Sequence, residues 1–124
     1  MRSGHTKAEA YRFGHFAESL CAFSLRLRGY RILEKRYRTH VGEIDIIAAC
    51  HPILAIVEVK ARTGKGCRVE ETLQANQRRR IERTAGAYLA LHPEYAGYQL
   101  RFDLMTVRPW QIPQHLKGAW IAGE

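Results

Sequence analysis

The chain has 124 residues, of which 46% are hydrophobic and 26% charged. That is the make-up of one globular domain with a sizeable core, and it excludes a disordered polyelectrolyte or two full domains. Twenty Lys and Arg against twelve Asp and Glu leave a net charge of +8, which suits a polyanion, most commonly nucleic acid; the plain alternative is an inert basic surface.

Residues 1–8 read as a flexible start to a single domain covering 1–124. From about Lys7 to Arg28 the spacing is helical. Phe13, Phe16, Leu20, Phe23 and Leu27 recur at steps of three or four as one apolar stripe, and Gly29 closes the segment. The stretch "YRILEKRYRTH" reads as a strand with basic outward positions. Gly42 then opens a hairpin, "GEIDIIAACHPILAIVEVKAR", and "TGKG" follows as a loop. A second helix is expected from about Val69 to Leu91, with Leu73, Ile81, Ala85 and Tyr88 or Leu89 inward. "YQLRFDLMTVRP" alternates like a further strand and ends at Pro109. Helix, three strands, helix, strand is the order of a mixed α/β domain. Only the first three strands can be ordered from this pattern.

The hairpin carries the chemistry. Its two apolar runs are interrupted by Glu43 and Asp45 in the first and by Glu58 and Lys60 in the second. Alternation puts each pair on one face, with Ile44, Ile46, Val57 and Val59 expected on the other. A tight turn at His51-Pro52 pairs Asp45 with Glu58 and Glu43 with Lys60. Directly opposed side chains sit about 5 Å apart, where two like charges repel. A one-residue slip would put Asp45 and Glu58 on opposite faces.

Two facing carboxylates require either a shared proton, with one pKa raised, or a divalent cation. Mg²⁺ is the usual hard-cation candidate for carboxylate oxygens, with Mn²⁺ as its substitute. Lys60 would then lie beside whatever the metal binds, able to stabilise charge on a phosphate or to help a water attack. On a basic protein this set suggests metal-assisted phosphodiester hydrolysis. Glu-x-Lys alone is most often a solvated strand face; the surrounding Ile, Val and Ala argue that this face is enclosed.

The remaining signals are weaker. Cys21, Cys50 and Cys67 are odd in number and lack CxxC spacing, so neither a disulfide framework nor a zinc site is expected. The six histidines show no ligand spacing. No stretch is long and apolar enough for a membrane span, and "MRSGHTKAEAYRFGH" lacks the apolar run of a secretion signal. A cytoplasmic protein without membrane association is expected. Arg36, Arg38, Arg62, Lys65 and Arg68, on or near the hairpin, are candidates for lining a nucleic-acid groove. Arg79 and Arg83, sharing a helix face, are candidates for phosphate contacts, or else a solvated surface. Trp110 and Trp120 read as packing residues.

"GEIDIIA" followed by "IVEVKAR" resembles the core of the PD-(D/E)xK nuclease superfamily. More closely, the chain resembles the bacterial YraN family, whose fold is similar to archaeal Holliday-junction resolvases. "GHFAESLCAFSLRLRGYRILEKRYR", "RRRIERTAGAYL", "RFDLMTV" and "HLKGAW" extend that resemblance over nearly the whole chain. It implies a restriction-endonuclease-like, three-layer α/β/α fold with a mixed central sheet. It implies Asp45 as the central metal-binding Asp, Glu58 and Lys60 as the E-x-K pair, Glu18 as a helix-borne acidic member of the site, and Glu43 as an accessory. On a helical wheel Glu18 lies away from the Phe16–Leu20 stripe, compatible with that role. The chain departs from the family at Gln77, where a lysine is usual before the basic run; Gln74 is a further candidate for a polar accessory.

The expected function is a Mg²⁺-dependent endonuclease-like protein acting on DNA, branched or structured DNA included. Asp45 and Glu58 would hold the metal. The competing reading is a nucleic-acid-binding module that keeps the fold with little catalysis. Resolvase-like folds often act as dimers, but no dimer face is legible in the sequence.

Overall fold

The computed structural model describes residues 7–62 and 74–124. In chain order these form α1 (Lys7–Leu27), β1 (Arg31–Arg38), β2 (Glu43–Cys50), β3 (Ile53–Ala61), α2 (Ala75–Leu91), a 3₁₀ turn (Pro93–Tyr95), β4 (Gln99–Val107) and β5 (Gln114–Trp120). Lys7 and Ala8, expected in the flexible start, already belong to α1, and the rest of that start lies outside the described residues. So do residues 69–73 of the second helix as read from sequence.

The five strands make one mixed sheet in the order β1-β2-β3-β4-β5. Every neighbouring pair is antiparallel except β3 and β4, which run parallel in unbroken register from Ile53↔Gln99 to Ala61↔Val107. A parallel pair needs a crossover, and α2 supplies it. The two helices cover opposite faces. Ala17, Cys21, Ala22 and Leu25 of α1 pack with Ile46, Ala48, Ala55, Val57 and Met105. Ile81, Ala85 and Tyr88 of α2 pack with Ile44, Ile47, Leu54, Ile56 and Phe102. The fold is α/β, a mixed sheet between two helical layers.

Local chemistry ends the elements where it should. Gly29, at φ 95°, caps α1 with paired bonds: its own N–H donates to Arg26 O, and Tyr30 N–H donates to Leu25 O, both at 3.0 Å. This is the glycine-terminated end in which a left-handed residue satisfies the last carbonyls. Leu25 and Tyr30 meet in the same apolar cluster. Among the described residues no helix is long and apolar enough to cross a membrane.

Three expectations change. The apolar stripe of α1 is buried only along one edge, at Phe13 and Leu20: α1 rests on the sheet chiefly through Ala17, Cys21, Ala22 and Leu25, while Phe16, Phe23 and Leu27 are exposed. Trp110 is fully exposed, whereas Trp120 packs, stacked on Phe102 with ring centroids 5.2 Å apart. The segment containing "HLKGAW" is a strand, β5, at the edge of the sheet. A buried charged cluster ties β5 in place. Asp103, fully buried on β4, accepts from Arg101 (2.7 Å), from His115 Nε2 (2.8 Å) and from the Gly118 N–H (2.9 Å). Arg28 lies 2.9 Å from His115 Nδ1; since arginine only donates, Nδ1 accepts and the imidazole carries its proton on Nε2. Burial raises the Asp103 carboxyl, but the His115, Arg101 and Gly118 hydrogen bonds outweigh it and hold the group below the usual carboxylate range.

Candidate active site

The turn at His51-Pro52 is the expected two-residue one, with Cys50↔Ile53 as its first rung and Ile46↔Val57 as the last of the β2–β3 ladder. Beyond that rung the strands stop pairing. The Val59 N–H, the next donor along β3, is taken by a side chain: it donates to Oδ2 of Asp45 at 2.8 Å. The distortion reaches β1. Arg36, the residue between the Lys35↔Ile46 and Tyr37↔Ile44 rungs, has φ 55°. Alternation also breaks across Asp45, because Ile46 packs on the α1 side of the sheet and Ile44 on the α2 side. Ile44 is therefore not on the face expected for it.

Asp45 and Glu58 meet in the opening this creates, sharing a hydrogen bond between carboxyl groups. Burial pushes both up, Asp45 to about 6 and Glu58 to about 8. For Glu58 the charge of Asp45 is the next cause, with Lys60 pulling the other way. For Asp45 the Val59 N–H restrains the rise, while Glu18 and Glu43 add to it. The two carboxyls therefore titrate as a pair that holds on to a proton above the usual carboxylate range. Two carboxyls forced together split their affinities in this way.

The surrounding residues come from five elements, α1, β1, β2, β3 and α2. Glu18 of α1 is near enough to raise Asp45, and its Oε1 accepts the Nε–H of Arg36 at 2.7 Å. Arg36, expected to contact nucleic acid, is thus engaged inside the protein. Lys60 is half-buried beside Glu58, and among the described residues no ion pair engages its ammonium. Glu43 does not meet Lys60 across the hairpin; it is salt-bridged to Arg38 of β1 at 3.4 Å. An open cleft of about 580 Å³ exposes the acidic pair between the β1–β2 turn and α2, with His40, Glu43, Gln77 and Arg80 in its wall. Cys21 lies beneath, its thiol pushed up to about 12 by burial and then by the charges of Asp45 and Glu18, hence inert.

Gly42 explains how α2 comes so close. A Cβ there would sit 2.9 Å from Thr84 Oγ1 and 3.4 Å from both Cβ and the carbonyl oxygen of Arg80. With no side chain at this point, the turn backbone lies directly against the helix and brings its first turns over the site. Gln77 then donates from Nε2 to Glu58 Oε2 at 3.4 Å, at the long end of hydrogen-bonding range. Gln74 sits at the exposed start of α2 and makes no side-chain cap. Of the basic candidates, Arg38 is at the cleft, Arg62 is half-buried at the end of β3, and Lys65 and Arg68 lie outside the described residues. Arg79 and Arg83 are exposed, Arg79 donating to Asn76 at 3.4 Å, and it is Arg80 between them that lines the cleft. Gln77 was legible as a site residue: it lies four and eight positions before Ile81 and Ala85, on the inward stripe of α2.

Residues 17–107, which contain every element of this site, match the model of the uncharacterised protein family UPF0102. The chain belongs to the UPF0102 (YraN) family. Curated UPF0102 relatives cover almost the whole of it. The protein from Chelativorans sp. (strain BNC1) is 44% identical over 117 residues, 94% of each chain. That from Parvibaculum lavamentivorans is 44% identical over 115 residues, 93% of this chain and 86% of its own. UPF0102 protein bll0669 of Bradyrhizobium diazoefficiens is 44% identical over 116 residues, 94% and 86%.

Proposed function

We propose that this UPF0102 chain is a cytoplasmic, Mg²⁺- or Mn²⁺-dependent endonuclease of the restriction-endonuclease-like PD-(D/E)xK type. Its substrate is DNA, branched or otherwise structured DNA in particular. The observation that carries this is the Asp45–Glu58 pair: two carboxyls meeting at the floor of an open cleft, beside a lysine with no ion-pair partner among the described residues.

The donor set fits a hard divalent cation. Among the described residues no group of three or more His, Cys, Asp or Glu forms a metal cluster. Mg²⁺, which keeps several waters and is held by one or two carboxylates plus substrate phosphate, suits a two-carboxylate site. Asp45 and Glu58 would hold it, and the bound ion would supply Lewis-acid stabilisation of the phosphoryl oxygens and a more acidic water. The protein's own groups do the rest. Glu58 must give up the proton it shares with Asp45 for both to bind as anions. Lys60 offers its ammonium to charge building on a phosphate oxygen, in a half-buried position where such an interaction counts for more than in bulk water. Arg38 and Arg80 supply cations to a phosphate backbone lying along the cleft. Glu18, held by Arg36, positions the α1 side of the site.

A nuclease assay on linear, single-stranded and four-way-junction DNA, with and without Mg²⁺ or Mn²⁺, tests the reading. Cleavage should require metal and disappear in Asp45→Asn and Lys60→Ala, with folded-state circular dichroism retained. Cleavage surviving in both variants would place the activity elsewhere or in a contaminant. The neutral Gln77 at Glu58, where the family usually has lysine, favours a second reading, a DNA-binding module with little catalysis. Salt-dependent DNA binding with no response to metal at Asp45 and Glu58 would select it.

A further inference from the structure

The pattern of α1 and its packing disagree, and the disagreement leaves an apolar face without an occupant among the described residues. Phe13, Phe16, Leu20, Phe23 and Leu27 alternate steps of three and four, the spacing of a helix that pairs with another helix along a seam. The sheet covers only the edge of that seam: α1 lies on it through Ala17, Cys21, Ala22 and Leu25, with Phe13 and Leu20 half-buried against the same cluster. At ~100° per residue the seam is centred roughly 140° around the helix from this buried face. Phe16, Phe23 and Leu27 remain 56–72% exposed.

The loop after β4 extends the same face. Trp110 is fully exposed at φ 63°, and Ile112 is 81% exposed. A non-glycine residue in that region is strained by about 1 kcal/mol or more and persists where its surroundings hold it. Here it lies in a turn closed by the Gln111 N–H on the Arg108 carbonyl at 3.3 Å, with Pro109 and Pro113 stiffening the loop. This loop and the first half of the seam enclose an open apolar groove of about 840 Å³.

We propose that this face is a two-fold interface between two copies of the chain, the α1 seam of one packed antiparallel on that of the other. Three observations favour a second copy. The first is area: at roughly 200 Å² for a fully exposed side chain of this size, Phe16, Phe23, Leu27, Trp110 and Ile112 offer about 700 Å². That exceeds the largest patch of a typical monomer, about 300–600 Å², and approaches the ~800 Å² per partner of a stable interface. The second is self-complementarity, since one regular seam can serve both sides of an isologous contact. The third is charge: α1 has Glu9 in its first turn, beside Lys7 in the sequence, and Arg26 in its last, so an antiparallel pair sets Glu9 of each helix near Arg26 of the other. The charged side chains of the groove are one acid and one base, Glu9 and Arg108, which give a phosphate backbone no net positive charge to hold. The inference is independent of the phosphodiesterase reading.

Sedimentation equilibrium of the full chain across micromolar concentrations tests it. The expected mass is twice 14.3 kDa, and Phe23→Glu and Trp110→Glu, each at an exposed position, should each raise the dimer Kd by about 100-fold with unchanged circular dichroism. A wild type that stays at 14.3 kDa, or a dimer that persists undiminished in both variants, overturns the proposal. A monomeric wild type whose melting temperature falls in Phe23→Glu would mean the seam is covered from within the chain. A monomer whose binding to anionic vesicles or to an oligonucleotide is lost in Phe23→Glu would assign the face to that partner. Either result overturns the second copy as its occupant.

Discussion

Glu18 on α1 accepts the Nε–H of Arg36 on β1 at 2.7 Å, and Arg36 reaches it from a backbone at φ 55°. The pair joins the helix to the strand rung where β2 loses its regular alternation. Its side chains are 20% and 31% exposed, so its own contribution to stability is about 1 kcal/mol or less. The larger consequence is electrostatic, because Glu18 is among the charges that raise Asp45. Glu18→Gln should therefore cost only a few degrees of melting temperature yet lower the titration midpoint of Asp45 below about 6. Carboxyl ¹³C NMR of the metal-free protein reads that midpoint directly; an unmoved Asp45 resonance would disconnect Glu18 from the pair.

Gly42 makes a second, steric link. Its missing Cβ would fall 2.9 Å from a Thr84 hydroxyl that is itself bonded to Arg80 O at 2.7 Å, so the obstacle has little room to retreat. Gly42→Ala should destabilise the fold by about 1–3 kcal/mol, as overpacking usually does. Removing the obstructing hydroxyl in Gly42→Ala/Thr84→Ala should recover part of that loss beyond additivity. Strictly additive denaturation midpoints across the four proteins would mean that the close approach is not what requires glycine here.

The hairpin and its register were legible because three local signals agree: a Pro-containing turn, two apolar runs and an alternation that holds from Ile46 to Val57. Those same rules also mispaired Glu43 with Lys60. Periodicity assumes a ladder that continues, whereas here Asp45 takes the Val59 N–H and the ladder ends at Ile46↔Val57. The α1 stripe misled for a different reason. A heptad seam and a core-facing stripe look alike in sequence, and Ala17, Cys21 and Ala22 are too small to announce the face that is buried. β5 went unseen because an edge strand reading "QHLKGAW" has only Leu116 and Ala119 as apolar side chains besides Trp120, with Gly118 at φ 62° interrupting it. What holds β5 is the buried Asp103 cluster, a set of long-range contacts with no local signature.

The acidic pair should leave a mark on stability. Both carboxyls titrate higher in the folded chain than their ordinary values, Glu58 at about 8 against 4.5. Between those values the folded chain keeps protons that the unfolded chain has released, so stability falls as pH rises through the window. Asp103 acts in the opposite sense and in acid: its carboxyl is lowered, so its contribution is present above the ordinary carboxylate range and is lost as pH falls below it. The metal-free protein should thus lose stability between about pH 5 and 8, by roughly 2 kcal/mol after solvent screening. Glu58→Gln should flatten that slope, and Mg²⁺ should restore wild-type stability most at the alkaline end. Urea denaturation at pH 5, 6.5 and 8 measures it; a wild-type slope unchanged by Glu58→Gln would remove Glu58 as its source.

Gln77 sets the last test, because it is where α2 touches the acidic pair. Its amide reaches Glu58 at 3.4 Å but brings no charge, leaving Lys60 as the cation that restrains the rise of Glu58. A lysine at position 77 would place a second ammonium on the same carboxylate and favour its ionised form. Gln77→Lys should lower the Glu58 midpoint by about one unit or more, and with it the pH at which Mg²⁺ begins to bind. Gln77→Ala, which removes one long neutral hydrogen bond, should move it much less. Paired NMR titrations with and without Mg²⁺ distinguish the cases. A Gln77→Lys protein with an unshifted Glu58 and an unshifted metal response would mean that the first turns of α2 do not control the charge state of the site. The neutral residue would then carry no weight for the binding-module reading.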